Sequence, residues 1–195
     1  MNCRILVLVF ILFSCKDNHI AEQRTAAVPA VFQPKSLATC ASKNNCILIN
    51  GKRYSGFLYQ LYENESDTLS VEAYTNGVLD GISKKYYLSG KPMEWRQYRN
   101  GAKNGKQISY WENGNKRFEF VAIEDAYEGE LKEWSEDGRL IHLGHFKNGQ
   151  EEGVQQLWYD NGKIRANYVI KNGRRYGLLG TKNCKNASDP AFIDK

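Results

Sequence analysis

Residues 153–177 read Gly-Val-Gln-Gln-Leu-Trp-Tyr-Asp-Asn-Gly-Lys-Ile-Arg-Ala-Asn-Tyr-Val-Ile-Lys-Asn-Gly-Arg-Arg-Tyr-Gly, and this stretch decides how the chain folds. Asn161-Gly162 and Asn172-Gly173 divide it into runs of about ten residues, enough for one strand and its bend. Asn-Gly supplies the positive φ angles of a two-residue hairpin turn, where most side chains clash. A helix is excluded, because a glycine or Asn-Gly every ten to twelve residues would break each one as it formed. The second run alternates as a half-buried strand does, with Ile164, Ala166, Tyr168 and Ile170 on one face and Arg165 and Asn167 on the other.

Outward from this stretch the same phrase recurs. Glycines stand at 56, 81, 105, 129, 153 and 177, an interval of 25 followed by four of 24. Ser89-Gly90, Asn113-Gly114 and Asp137-Gly138 hold the place of Asn161-Gly162. Asn76-Gly77, Asn100-Gly101 and Asn148-Gly149 hold that of Asn172-Gly173, with Glu124-Asp125 substituting in the third unit. Five places after each leading glycine come Leu61, Tyr86, Tyr110, Trp134 and Trp158. The second strands repeat their alternation as Lys116, Phe118, Phe120, Ala122 and as Leu140, His142, Gly144, Phe146, less cleanly as Pro92, Glu94, Arg96, Tyr98. A single hairpin is marginal in water, so the units must stack and share buried surface. The expectation is an all-β fold, an elongated single-layer antiparallel sheet of five hairpin units roughly 48 Å long at about 4.8 Å per strand. Ile47–Gly51 and Gly177–Gly180 look like half-units closing its ends.

The pattern of glycine, four residues, aromatic, Asn-Gly-Lys, aromatic, Asn-Gly, three residues and glycine resembles the MORN repeat. It is most similar to the bacterial variant labelled the YwqK-type antitoxin family. The likeness covers about 56–177 and is cleanest over 153–177. It implies a twisted sheet of successive hairpins used for binding or scaffolding, with phospholipid contact proposed for some members.

The amino terminus is read apart from the fold. Arg4 precedes an apolar run from Ile5 to Phe13, too short to span a bilayer, which takes roughly 20 residues. Residues 1–14 have the proportions of a secretory signal, and Leu12-Phe13-Ser14-Cys15 resembles a lipoprotein lipobox, although Phe13 is bulkier than usual there. Cys15 is then the lipid attachment point, and the alternative is an ordinary signal peptide with an incidental cysteine. Residues 15–45 are expected to form the lipidated cysteine and a flexible tether, 46–184 the array with its caps, and 185–195 a tail. In an oxidising compartment Cys40 and Cys46 could bridge locally, or both stay free. Cys184, at the far end of the array, cannot reach either within the roughly 7 Å a disulfide allows.

Charge and site chemistry narrow the function. Residues 56–177 hold 17 basic and 18 acidic side chains, so the positive excess lies in the flanks, unlike a nucleic-acid binder. His142 and His145, three apart in a strand, point to opposite faces and cannot share a metal. No nucleophile setting or phosphate-cradling loop stands out. The chain therefore reads as a non-enzyme with no cofactor or small-molecule substrate. Tyr86, Tyr110, Trp134 and Trp158 are expected to pack between hairpins. Their neighbours Tyr62, Tyr87, Trp111 and Tyr159 should then face the other way as a binding surface. The expected function is a membrane-anchored envelope lipoprotein whose sheet binds a protein or surface glycan. The rival readings are an antitoxin masking an envelope-acting toxin and a phospholipid-binding array.

Overall fold

The computed structural model describes residues 28–41 and 46–180. Cys15, the leader and Cys184 lie outside them. The strands are β1 (Phe32–Pro34), β2 (Thr39–Ala41), β3 (Cys46–Ile49), β4 (Lys52–Arg53), β5 (Gly56–Leu61), β6 (Thr68–Thr75), β7 (Val78–Leu79), β8 (Gly81–Tyr86), β9 (Pro92–Arg99), β10 (Ala102–Tyr110), β11 (Lys116–Ile123), β12 (Ala126–Trp134), β13 (Leu140–Lys147), β14 (Gln150–Trp158), β15 (Ile164–Lys171) and β16 (Arg174–Leu178). From β5 onward they follow one another through a single sheet in chain order, each antiparallel to the next, with β7 pairing β6 at one side. The architecture is all-β, as the repeat predicts.

The two recurring turns turn out to be different devices. At the second set both residues have positive φ, from Asn76 (52°) and Gly77 (83°) to Asn172 (53°) and Gly173 (70°). These are the two-residue turns the Asn-Gly dipeptides announce. Glu124 (49°) and Asp125 (66°) adopt the same conformation without a glycine. At the first set only the glycine is left-handed: Gly114 has φ 97° and Asn113 does not share it. There Trp111 N–H donates to the Asn115 carbonyl and Gly114 N–H to the Trp111 carbonyl, at 2.8 and 2.9 Å, which closes a three-residue loop. Asn113 earns its place through its side chain, whose Oδ1 accepts the Asn115 N–H at 2.9 Å, and Asn161 does the same for Lys163 at 3.0 Å.

Three of the leading glycines, Gly105, Gly129 and Gly153, mark β-bulges. Register slips between Lys103 and Gln107, and again where β12 meets β11 and β14 meets β13. Gly105 sits in the first slip at φ 103°, and a Cβ there would fall 2.2 Å from Gln97 Oε1. Each bulge bends its strand and increases its twist. That bending lets one face of a one-layer sheet close on itself. Gln107, Ala122 and Gln155 are fully buried there, with Phe120, Leu131, Ala166 and Tyr168 nearly so.

The amino-terminal end differs from expectation. The 15–45 segment is not a tether throughout, because β1 pairs in parallel with β5 and β2 pairs with β3. A three-stranded sheet of β2, β3 and β4 results, and Ala38, Ile47, Ile49 and Leu79 pack onto a small core of Tyr54, Leu58 and Tyr74. Asn50-Gly51 makes the expected turn, but the strand before it leaves the main sheet, and β1 takes its place beside β5. Cys40 stands opposite Ile47, whereas Cys46 stands opposite Ala41 and is buried, so the two occupy opposite faces and form no disulfide. At the other end β16 pairs with β15 as the half-unit predicts.

The Glu124-Asp125 turn carries the strain its relatives avoid. Asp125 Oδ1 accepts the Lys103 N–H at 2.9 Å and is worth keeping, while Glu124 holds a left-handed angle that costs a side chain about 1 kcal/mol. Glu124→Asn is expected to raise stability by about 0.5–1 kcal/mol, measured by denaturant unfolding, with no change in slope.

Candidate binding surface

The inner face is occupied by its own packing. An aromatic run crosses it from Phe118 to Phe120, Tyr127 and Phe146, with successive ring centroids 5.7, 4.6 and 5.3 Å apart. Arg96 lies over Phe118 at 4.6 Å and pairs with Glu94. Burial raises the Glu94 pKa, but Arg96 and Lys85 outweigh it and hold the carboxyl below its ordinary value. Farther toward the amino terminus Glu72 accepts from Lys35 at 2.8 Å and from Tyr74 at 2.9 Å, so burial and that carboxylate push the Tyr74 hydroxyl well above its usual pKa.

The aromatics expected to form the shelf and the surface play other parts. Tyr86, Tyr110, Trp134 and Trp158 are only half-buried, and Tyr110 meets Trp95 edge-on at 6.3 Å. Strands β8, β10 and β14 end at Tyr86, Tyr110 and Trp158, so Tyr87, Trp111 and Tyr159 begin the tight turns and strand alternation does not govern them. Tyr62 Oη donates to the Tyr86 carbonyl at 2.7 Å, Tyr87 Oη to the Tyr110 carbonyl at 2.8 Å, and Trp111 Nε1 to the Trp134 carbonyl at 3.0 Å. Tyr62, Tyr87 and Trp111 thus each staple their turn to the next unit. Ser135 interrupts the series, its hydroxyl turned instead to Asp137, and Tyr159 follows in phase, half-buried. On the opposite edge backbone bonds join the turns, Gly101 N–H to Leu79, Asp125 to Lys103 and Gly149 to Tyr127 at 2.8–3.0 Å, with the carboxylates of Asp125 and Glu128 accepting the Lys103 and Asn148 N–H beside them.

The outer face is the surface left open. Cross-strand partners define one continuous row over it: Tyr59, Val71, Lys84, Trp95, Ile108, Glu119, Lys132, Leu143, Gln156, Asn167 and Leu178. Trp95 is 38% exposed with Lys84 Nζ 5.0 Å above its ring, and Val121, Val154 and Val169 beside the row are exposed to a similar degree. Lys106 and Lys116 both pair with Glu119, whose carboxyl they hold below its ordinary pKa against the cost of burial. The row escaped sequence reasoning because its members share a phase of 24 residues, as Val71, Trp95, Glu119, Leu143 and Asn167 do, but no chemistry. Cross-strand register is the signal that joins them.

His142 faces Glu133 at 3.3 Å, and its hydrogen bond is the first cause of the lowered Glu133 pKa. His145 lies 3.9 Å from Glu130, another carboxylate altogether. Among the described residues no three His, Cys, Asp or Glu side chains gather as a metal site. An open cleft of about 710 Å³ beside the end of β5 is lined by Pro34, Lys35, Tyr59, Gln60, Tyr62 and Glu63, among others.

Four of the hairpin units match the MORN repeat variant. The matched stretches are 79–100, 103–120, 127–148 and 151–172. The MORN-type units therefore run through β7 to β15, and the unit at 56–75, with its longer loop, lies outside the match. No curated protein matches the sequence. Among solved structures the chain is similar to TarM at 13% identity and a TM-score of 0.32, over 56% of this chain and 21% of that one. A point variant of S. aureus TarM in complex with Fondaparinux, alpha-GlcNAc-glycerol and UDP gives 13% identity and a TM-score of 0.33, over the same shares. The chain thus spans about a fifth of those proteins, and a superposition at that level says nothing about function.

Two outcomes follow from the contacts of the MORN-type units. Tyr87→Phe keeps the ring and deletes one staple, so a loss of about 1 kcal/mol is expected by chemical denaturation. A carboxyl with a depressed folded pKa contributes stability above its unfolded value near 4.3, lost as pH falls through the folded one. Glu94, Glu119 and Glu133 all behave so, and stability should fall steadily on acidification below about pH 4.5. Arg96→Met should flatten part of that fall, and an unchanged profile would show that Glu94 has another source of stabilisation.

Proposed function

We propose that this chain is a non-catalytic lipoprotein of the cell envelope, anchored through Cys15, whose MORN-type array binds another protein or a surface polymer along its outer row. Runs of such repeats serve as binding scaffolds for proteins or membrane lipid. The observation that carries the reading is the contrast between the two faces. The inner face spends its aromatics on one another, and Tyr62, Tyr87 and Trp111 spend their polar atoms on the next unit. The outer face keeps Trp95 in the row, and Val121, Val154 and Val169 beside it, more than a third exposed among lysines and carboxylates. A surface that is apolar at intervals and charged between them suits an extended partner, with the aromatic as anchor.

The amino-terminal lipobox resemblance supplies the envelope placement, and membrane attachment then confines the array near its partner. Metabolic labelling with palmitate should mark the wild-type chain and spare Cys15→Ser. A pull-down from membranes with the intact lipoprotein, compared with Trp95→Ala combined with Val121→Ser, tests the surface. The variant should lose the captured species by about tenfold, one hot-spot anchor being worth over 1 kcal/mol, while its melting temperature stays near wild type. Equal capture by both would remove the outer row from the reading, and absent label on the wild type would remove the anchor.

A further inference from the structure

The ends of the sheet are finished differently. At the first, β1 covers β5 and stops at Pro34, which has no N–H to offer a further strand. At the other, β16 is paired by β15 alone, and among the described residues no strand lies on its far side. All of β16 is exposed, including Tyr176 at 55% and Leu178 at 44%, and it contains no proline. An edge of this kind is a template for another strand.

Its hairpin determines which groups point outward. Asn172-Gly173 is a two-residue turn, so Lys171 and Arg174 form the hydrogen-bonded closing pair. Alternation then turns the N–H and C=O of Arg175 and Gly177 away from β15. Tyr176 stands opposite Val169 and Leu178 opposite Asn167, both on the outer face, where they extend its apolar row to the brink of the sheet.

Charge selects the occupant. Residues 164–178 contain Arg165, Lys171, Arg174 and Arg175 and no carboxylate. Glu151, from β14, reaches Arg175 at 3.1 Å, and Lys171 and Arg174 stand exposed on either side of the closing turn, so the β15–β16 hairpin itself carries a positive excess. A second copy of the chain would bring the same arginines within one strand spacing of each other. We propose that β16 is a docking edge for an extended acidic segment of a partner protein, added antiparallel as one more strand, with backbone bonds at Arg175 and Gly177 and apolar contacts at Tyr176 and Leu178. This site is separate from the outer row's centre and does not require the membrane anchor.

The test uses the full chain and a fluorescein-labelled octapeptide of alternating glutamate and valine. One control peptide carries lysine in place of glutamate, and another is N-methylated at alternate backbone positions with its charge unchanged. The acidic peptide should bind at least about tenfold tighter than either, because pairing supplies affinity through the main chain and charge supplies selection. Amide exchange at Arg175 and Gly177 should slow on binding. Lys171→Glu with Arg174→Glu should cost about tenfold in affinity and leave melting unchanged, since both side chains are exposed. Equal binding of the N-methylated peptide would reduce the interaction to charge alone and overturn the proposal. So would protection of Arg175 and Gly177 that grows with protein concentration in the absence of peptide, which makes a second copy the occupant. A chain ending at Gly180 whose affinity for the peptide rises tenfold would make residues 181–195 the occupant, with the same consequence.

Discussion

Beyond the small amino-terminal sheet that covers Leu58 and Tyr74, the described sheet is one layer thick with no opposing layer to lie against, and the rest of this structure answers that constraint. Side chains on one face must find cover among themselves, which requires the sheet to bend toward that face. The bend is written into the backbone at Gly105, Gly129 and Gly153, where register slips and Gly105 takes an angle that its neighbours could not. Beside the slip in β12, Phe120 is nearly buried and its ring meets that of Tyr127 at 4.6 Å. The hydrophobic gain is modest per residue and accumulates along the array, as expected where each unit touches only its neighbours.

A slip in register also strands backbone groups, and the chain recovers them with side chains. Gln107 and Gln155, two units apart, are fully buried, and their Nε2 groups donate to the carbonyls of Gln97 and His145 at 2.9 and 2.7 Å. Those carbonyls lie opposite the slips. Leu131 fills the same phase in the unit between and buys apolar packing against Phe120 and Ala122 instead. Gly144 is what makes room for Gln155, since a Cβ there would approach its Oε1 at 2.7 Å. Repetition of a fold therefore tolerates two chemistries at one position, provided each neighbour adjusts.

Local signals made the array legible. The Asn-Gly pairs fix turns by backbone conformation, a property of two residues that needs no tertiary partner. The strands' alternation likewise told which side of β15 is inner, and Ala166 and Tyr168 are buried there. What escaped depended on residues distant in sequence. Phe32–Pro34 looks like linker because a parallel pairing with β5 has no turn to announce it, though Phe32 stacks on Phe57 at 4.9 Å. Tyr87 and Trp111 lie one residue past their strands' ends, where strand alternation no longer sets a side chain's direction. The outer row was invisible because phase alone relates its members. Asn113 shows a subtler limit, since the dipeptide was recognised while the reason for the asparagine, an acceptor for the Asn115 N–H, was not.

The division of labour between the faces has a consequence for how such a chain acquires a ligand. Changing Phe120 or Gly144 disturbs a packed neighbour on each side, and changing Tyr87 or Trp111 cuts a bond to the next unit. Changing Val121 or Val169 alters chiefly what the outer face presents to solvent, for an exposed surface substitution costs little, and Trp95 adds its contacts with Tyr110 and Lys84. Val71, Trp95, Glu119, Leu143 and Asn167 therefore form a row whose spacing is dictated by the fold and whose chemistry is not. In the proposed function, recognition is then a property of the sequence along that row, read at strand spacing, and the partner it calls for is one extended across the strands, because the sheet offers the row as a line.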